Sequence, residues 1–161
     1  MSFMNNAKIK FVDSTDKAAL YTIIFEKDDL SEYEKFLSKF RYDAELKRDY
    51  QVILFAVRQI LDNGVFERYF RPEGKMRDRV CALPVTKSKL RLYCIRLSDK
   101  ILIVGNGGVK NGKTYQENPE LNGYVVDLQK FDKLIDNELK NGSISIEETA
   151  IKGIENKDFK L

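Results

Sequence analysis

The stretch that decides the fold is Leu90-Arg91-Leu92-Tyr93-Cys94-Ile95-Arg96-Leu97, followed by Ser98-Asp99-Lys100 and then Ile101-Leu102-Ile103-Val104. Both apolar runs are rich in residues that favour strands, and the short polar segment between them is long enough only for a hairpin. Strands joined by a hairpin are antiparallel, because a parallel pair needs a long crossover connection. The stretch therefore predicts an antiparallel sheet.

Capping signals outside this stretch predict three helices. Ser31 and Glu34 form a capping box that begins the first helix, and the second helix ends at Asn63-Gly64. The third helix begins at Asn118-Pro119, where the cap residue and a first-turn proline stand in the expected order, and ends at Asn141-Gly142. These helices flank the hairpin on both sides in the chain.

Three further segments, Lys8–Val12, Leu20–Phe25 and Val80–Val85, have the composition of strands. The predicted order is β-(β)-α-α-β-β-β-α, which defines an α+β fold with an antiparallel sheet in a single domain, residues 1–161. Near the end of the chain, Ser145-x-x-Glu148 predicts a short turn of helix.

Composition excludes several classes of chemistry. The 161 residues include no histidine, which removes Ser-His-Asp and Cys-His triads, histidine-ligated zinc and an imidazole base. Cys81 and Cys94 lie singly in apolar runs and are expected to be buried thiols of a reducing compartment. The segment 1–6 lacks a signal-peptide core, and no apolar run reaches the roughly 18 residues of a membrane span. A cytoplasmic, soluble protein without a membrane partner is expected.

The charge is distributed unevenly along the chain. Residues 66–115 carry 12 Lys/Arg and 4 Asp/Glu, a net charge of +8, whereas residues 1–65 sum to −1 and residues 116–161 to −4. A basic stretch of this kind indicates an anion-binding surface, with nucleic acid as the leading partner. The alternative is a solvated basic face of the sheet.

Side chains alternate along the strand 90–96, so Arg91 and Tyr93 share one face and Arg96 lies on the other. An arginine and a tyrosine that project together can clamp a phosphate and stack on a base. Lys87 and Lys89 precede this strand. The alternative is that Tyr93 is a core residue and Arg91 lies on a solvated face.

Residues 107–114 match the phosphate-binding pattern G-x-x-x-x-G-K-[ST]. A true phosphate-binding loop needs a helix that starts at Lys113-Thr114, and Pro119 would break it within two turns. It also needs a parallel sheet, whereas the preceding strand belongs to a hairpin. A glycine-rich turn or bulge is the favoured interpretation, and nucleotide binding is the lesser alternative.

Four segments together resemble the RelE/ParE/HigB toxin superfamily, most closely its HigB-like, phage-type branch. They are Leu20–Phe25, Leu83-Pro84, Leu90-Arg91-Leu92-Tyr93 and the run from Lys100–Val104 to Gly108-Val109-Lys110. The resemblance covers about residues 19–115, a β-α-α-β-β-β core. Residues 116–161 are then a C-terminal helical extension, and Lys8–Val12 is an extra strand.

The resemblance implies the toxin of a type II toxin-antitoxin system, an endoribonuclease that cleaves mRNA without a metal or other cofactor, with or without the ribosome. Its partners would be that RNA and an antitoxin of helix-turn-helix type. By matching position, Arg91 would hold the scissile phosphate, Tyr93 would stack on or orient a base, and Lys110 would act at the end of the last strand. Residues implied in RNA binding are Lys87, Lys89, Arg96, Lys113 and Tyr115.

A second hypothesis is a catalytically inactive RelE-like fold that binds a protein or a nucleic acid. The oligomeric state and the general base are left open.

Overall fold

A computed structural model describes residues 6–73, 78–111 and 115–161. The strands are β1 Asn6–Ser14, β2 Ala19–Phe25, β3 Arg71–Pro72, β4 Val80–Leu83, β5 Leu90–Arg96, β6 Ile101–Val109, β7 Ser145–Glu147, β8 Ala150–Lys152 and β9 Phe159–Lys160. The helices are α1 Glu32–Phe40, α2 Lys47–Asn63 and α3 Pro119–Lys140, with 3₁₀ turns at Glu67–Tyr69 and Tyr115–Glu117.

The main sheet has the strand order β3-β4-β5-β6-β2-β1-β9. Neighbouring strands in it are antiparallel except β2 and β6, which run parallel, with Ala19 opposite Ile101 and Thr22 opposite Val104. The predicted α+β class and the β5–β6 hairpin are confirmed, but an entirely antiparallel sheet is wrong. The chain between β2 and β6 contains two helices and three strands, which is ample length for the crossover that a parallel pair requires.

Helices α1 and α3 begin at their predicted caps. Ser31 accepts the backbone N–H of Glu34 at 3.2 Å, and the Glu34 carboxylate accepts the N–H of Ser31 at 3.1 Å, so both bonds of the capping box are formed. Asn118 accepts the N–H groups of Glu120 and Leu121, and α3 starts at Pro119. These bonds satisfy N–H groups that have no partner inside the helix.

Each face of the sheet carries its own apolar core. The first core joins α1 and α2 to the sheet through Leu92, Cys94 and Leu102. The second joins α3 and the C-terminal segment to the opposite face through Tyr93, Ile95 and other residues. The predicted alternation of faces along β5 is confirmed. Residues 116–161, expected as an extension, supply the layer that closes the second face.

The C-terminal segment differs from the prediction. The helical turn expected at Ser145-x-x-Glu148 is wrong, because β7 and β8 form a two-stranded hairpin there. Glu148 occupies the turn with a φ of 52°, a left-handed conformation that a helical turn does not use. Beyond this hairpin, β9 pairs with the start of β1, with Ala7 opposite Phe159.

The two cysteines are buried free thiols, as predicted, and lie opposite each other on β4 and β5. Burial raises the pKa of Cys81 to about 12 and the pKa of Cys94 well above its ordinary value. Among the described residues, none of the helices has the length and apolarity required to cross a bilayer.

Candidate functional site

Four charged side chains, from β3, β5 and the segments that follow β3 and β6, act on one another electrostatically. Arg71 lies opposite Ala82, which in turn lies opposite Tyr93. Residues directly opposite one another in antiparallel strands share a face, so Arg71 and Tyr93 lie on the side covered by α3. We call Arg71, Glu73, Arg91 and Lys110, arranged around Tyr93, the polar cluster.

Arg91 is the most deeply buried charge of the polar cluster, with 6% of its surface exposed. Its Nη1 donates to the carbonyl oxygens of Ser88 and Leu90, but within the described parts of the chain its Nε has no hydrogen-bond partner. Burial lowers the pKa of Arg91, and the neighbouring Arg71 charge lowers it further. A buried, unpaired N–H costs free energy, about 1–3 kcal/mol, that an anion at this position would recover.

Glu73 is the residue that sequence reasoning missed. It directly follows β3, and its N–H donates to the carbonyl of Val80 at 3.3 Å. Burial raises the pKa of the Glu73 carboxyl, while the charges of Lys110, Arg91 and Arg71 oppose this rise. The sequence offered one indication of Glu73, its negative charge, because it is one of only 4 acidic residues in the basic stretch 66–115.

Tyr93 lies beneath the polar cluster with none of its surface exposed. Its ring meets Tyr115 edge-on, with 6.5 Å between the ring centroids, and shares a core with Leu121 and Val125 of α3. Burial raises the pKa of Tyr93, and its hydroxyl has no hydrogen-bond partner in the described segments. Tyr93 therefore offers no exposed face on which a base could stack.

Lys87 and Lys89 lie at the exposed rim of the polar cluster. Their loop is fixed to the first turn of α2, because Asp49 accepts both the Ser88 hydroxyl and the Lys89 N–H at 3.0 Å. The backbone N–H of Lys110 donates to the carbonyl of Lys89 at 2.8 Å. The structure thus brings Lys89 and Lys110 together from two neighbouring strand ends.

One predicted RNA-binding residue, Arg96, is not part of this arrangement. Arg96 lies about 16 Å along β5 from Arg91 and on the opposite face. Its Nε donates to the carbonyl of Val65 at 2.8 Å, which anchors the segment after α2. Lys113 lies outside the described residues.

The glycine-rich stretch is part of β6, which reaches Val109 rather than ending at Val104. The pairing of β5 with β6 shifts by one residue between Val104 and Gly107, so a bulge lies at Gly105-Asn106. The next long helix, α3, begins only at Pro119. Gly107 and Gly108 therefore continue the sheet. The described part of residues 107–114 does not have the loop-to-helix geometry that cradles a nucleotide phosphate.

Part of the +8 charge is balanced inside the fold. Arg79 contacts Asp132 at 2.7 Å and Asp136 at 3.9 Å, and Lys100 pairs with Glu148. These carboxylates belong to the acidic stretch 116–161. Part of the negative charge of residues 116–161 therefore pairs with the positive charge of residues 66–115. Arg71 is also engaged, since it donates to the carbonyls of Pro84 and Thr86 at 2.8 and 2.9 Å.

Comparison with protein-family models, curated proteins and solved structures found no match to this chain. No three His, Cys, Asp or Glu side chains in residues 6–73, 78–111 and 115–161 are grouped so that they could hold a metal ion.

Proposed function

We propose that this protein is a toxin of the RelE/HigB type that cleaves mRNA at the polar cluster. The observation that carries the proposal is that the charges of Arg91 and Lys110 act on the Glu73 carboxyl, while the buried Nε of Arg91 has no partner within the described residues. The order β2-α1-α2-β3-β4-β5-β6 also contains the β-α-α-β-β-β order that the sequence resemblance implies, with the two-residue β3 added. An antitoxin of helix-turn-helix type is the expected protein partner.

The cluster contains the groups needed for cleavage by the ribose 2′-hydroxyl. Glu73 takes the proton of that hydroxyl as its oxygen attacks the adjacent phosphorus, and a raised pKa makes the carboxylate a stronger base. The bond from phosphorus to the 5′-oxygen breaks, and Lys110 donates a proton to this leaving oxygen. Arg91 stabilises the charge that develops on the phosphate, and the products are a 2′,3′-cyclic phosphate and a 5′-hydroxyl.

Burial differs among the residues of the proposed site. Glu73, Lys110 and Tyr115 are half-buried and have surface that RNA can reach, while Lys87 and Lys89 are exposed around them. Tyr93 has no exposed surface, so in this proposal it acts as a positioning residue that supports Arg91 from below.

The second candidate is a RelE-like fold that binds RNA or a protein without cleaving it. The observation in its favour is that α3 and the turn Tyr115–Glu117 cover the sheet face of Arg91 and Tyr93. Leu121 of α3 packs against Gly108, where an added Cβ would stand 3.0 Å from its methyl carbon. A small residue at 108 thus lets α3 approach the sheet closely.

The test is cleavage of mRNA by the purified protein, on free RNA in EDTA and on ribosome-bound RNA in magnesium buffer, with mapping of new ends and detection of the cyclic phosphate. Glu73→Gln and Arg91→Ala are expected to lower the rate by about 100-fold or more. Glu155→Gln, an exposed carboxylate in the C-terminal segment, is the matched control and should cleave like the wild type. Intact RNA in every wild-type reaction contradicts the nuclease proposal. Salt-sensitive RNA binding without products, weakened in Arg91→Ala, would support the binding function.

A further inference from the structure

The turn that precedes β5 links α2 to Arg91, and Ser88 is the residue that joins them. The Ser88 hydroxyl donates to Oδ1 of Asp49 at 3.0 Å and accepts the N–H of Leu90 at 3.1 Å. The Ser88 carbonyl oxygen accepts a hydrogen bond from Nη1 of Arg91. A single residue therefore connects the carboxylate of Asp49 with the guanidinium of Arg91.

Asp49 holds this turn from the first turn of α2. Its Oδ1 also accepts the N–H of Lys89 at 3.0 Å, so one oxygen fixes two consecutive residues of the turn. Helix α2 packs on one face of the sheet, whereas Arg91 shares the other face with Tyr93. The bonds of Ser88 thus carry a constraint from one face of the sheet to the other.

Arg91 is held at Nη1 and has an unpaired Nε. Nη1 bonds the carbonyl oxygens of Ser88 and Leu90, the latter at 2.9 Å, while the buried Nε has no hydrogen-bond partner within residues 6–73, 78–111 and 115–161. A guanidinium meets a phosphate through two parallel N–H bonds from one edge. The bonds at Nη1 leave the Nε side of the guanidinium for such a contact and fix its orientation in advance.

Arg91 needs this support because it lies buried beside a like charge. Burial lowers the pKa of Arg91 and the charge of Arg71 lowers it further, as expected for two cations close together. Their repulsion favours other orientations of the Arg91 guanidinium. The carbonyl oxygens at Nη1 oppose that movement, and the position of the Ser88 carbonyl in turn depends on the bonds from the turn to Asp49.

We propose that Asp49 is a positioning residue for Arg91 and that it acts through Ser88. The Asp49 oxygen fixes Ser88 in the turn, the Ser88 carbonyl fixes Nη1 of Arg91, and Nε is left for an anion. Loss of the acceptor at Asp49 releases this chain of bonds, so the guanidinium becomes mobile although none of its own atoms has changed. The consequence for catalysis rests on the proposed RNA cleavage, whereas the positioning itself does not.

The test is the exchange of the Arg91 Nε–H with water, measured by NMR of the isotope-labelled full chain, with Arg91→Lys to identify the signal. In the wild type this exchange should be at least about tenfold slower than that of the exposed Arg48. Asp49→Ala and Ser88→Ala should each raise the rate about tenfold. The double variant should exchange no faster than the single ones, because both substitutions break the same chain of bonds.

Asp49→Asn separates the acceptor oxygen from the negative charge. It keeps an oxygen that can accept the two bonds, so its Arg91 exchange rate should lie within about twofold of the wild type. If the carboxylate only stabilises the start of α2 through its charge, Asp49→Asn will behave like Asp49→Ala. Asp62→Ala, which removes an exposed carboxylate from the other end of α2, is the matched control.

RNA cleavage gives the second measurement. Asp49→Ala should lower kcat about tenfold, and Asp49→Asn should retain most of the wild-type rate. Three results would overturn the proposal: wild-type exchange in Asp49→Ala, equal exchange in Asp49→Asn and Asp49→Ala, or a wild-type kcat in Asp49→Ala. A wild type that cleaves no RNA refutes the proposed function alone, because the exchange rates still decide the role of Asp49. Circular dichroism of each variant establishes that it is folded.

Discussion

Gly107 holds β5 and β6 at a separation that no other residue allows. It lies opposite Leu92, and a Cβ built on it would press directly on the carbonyl oxygen of Arg91 and stand 2.9 Å from the carbonyl carbon of Arg91 and from the Cα of Leu92. All three atoms belong to the backbone, so no side-chain rotation can relieve the contact. In Gly107→Ala the two strands must therefore move apart.

The expected cost follows from what such a movement breaks. Separating the strands at this point weakens about two ladder bonds, worth roughly 1 kcal/mol each, and the overpacking adds roughly 1–3 kcal/mol. The free energy of unfolding should fall by about 3–5 kcal/mol, which for a chain of this size lowers Tm by about 10 °C.

The assay is urea denaturation followed by far-UV circular dichroism, with Gly123→Ala as the matched control. Gly123 lies inside α3 with nothing within 4 Å of an added Cβ, so this substitution should stabilise the protein by about 0.5–1 kcal/mol. If Gly107→Ala unfolds within about 1 kcal/mol of the wild type, the strands are not as close as described and the reasoning is refuted.

Three further predictions concern buried and charged groups. The thiols of Cys81 and Cys94 should not react with Ellman's reagent in the folded protein, because both are buried and burial raises the pKa of each. Both thiols should react after denaturation. Rapid reaction in the native state would contradict their burial. Because burial raises the pKa of Glu73, folding favours the protonated form of this carboxyl. The contribution of Glu73 to the free energy of unfolding is therefore present at low pH. It is lost as the pH rises above the ordinary value of 4.5 and through the raised pKa. Urea titrations at several pH values should show Glu73→Gln gaining on the wild type as the pH rises, and parallel curves would argue against burial of the carboxyl. Asp132→Ala should cost about 1–3 kcal/mol, because it leaves the partly buried Arg79 without its partner at 2.7 Å. A double-mutant cycle with Arg79→Ala should give a coupling energy of about 1 kcal/mol, and a value near zero would show that the ion pair adds no stability.

Local signals predicted the parts of the fold that depend on neighbouring residues. The capping box of Ser31 and the Asn118-Pro119 start of α3 act within one turn of helix, so their chemistry is complete in the sequence. The two faces of β5 follow from the alternation of side chains along a strand. The segment Ser145-x-x-Glu148 shows the limit of such signals. It has the sequence pattern of a helix cap, but it lies in the β7–β8 hairpin, in which Ile151 is buried.

The candidate site was only partly accessible to the same reasoning. Arg91, Tyr93 and Lys110 were identified from their strand positions, but their burial depends on α3, which lies far along the chain. Glu73 carried no motif, because β3 has only two residues and is defined by its pairing with β4. The net charge of +8 in residues 66–115 is visible in the sequence, but its partners Asp132 and Glu148 belong to a distant segment.

The sequence by itself determined the helices, the β5–β6 hairpin and the class of the fold, because backbone periodicity and capping act over a few residues. Only the tertiary structure decided that β2 runs parallel to β6, that α3 closes the face of Tyr93, and that the charge of Arg91 acts on Glu73. The physical reason is that these arrangements depend on burial and charge interactions between segments far apart in the chain, whose free energies no local pattern contains.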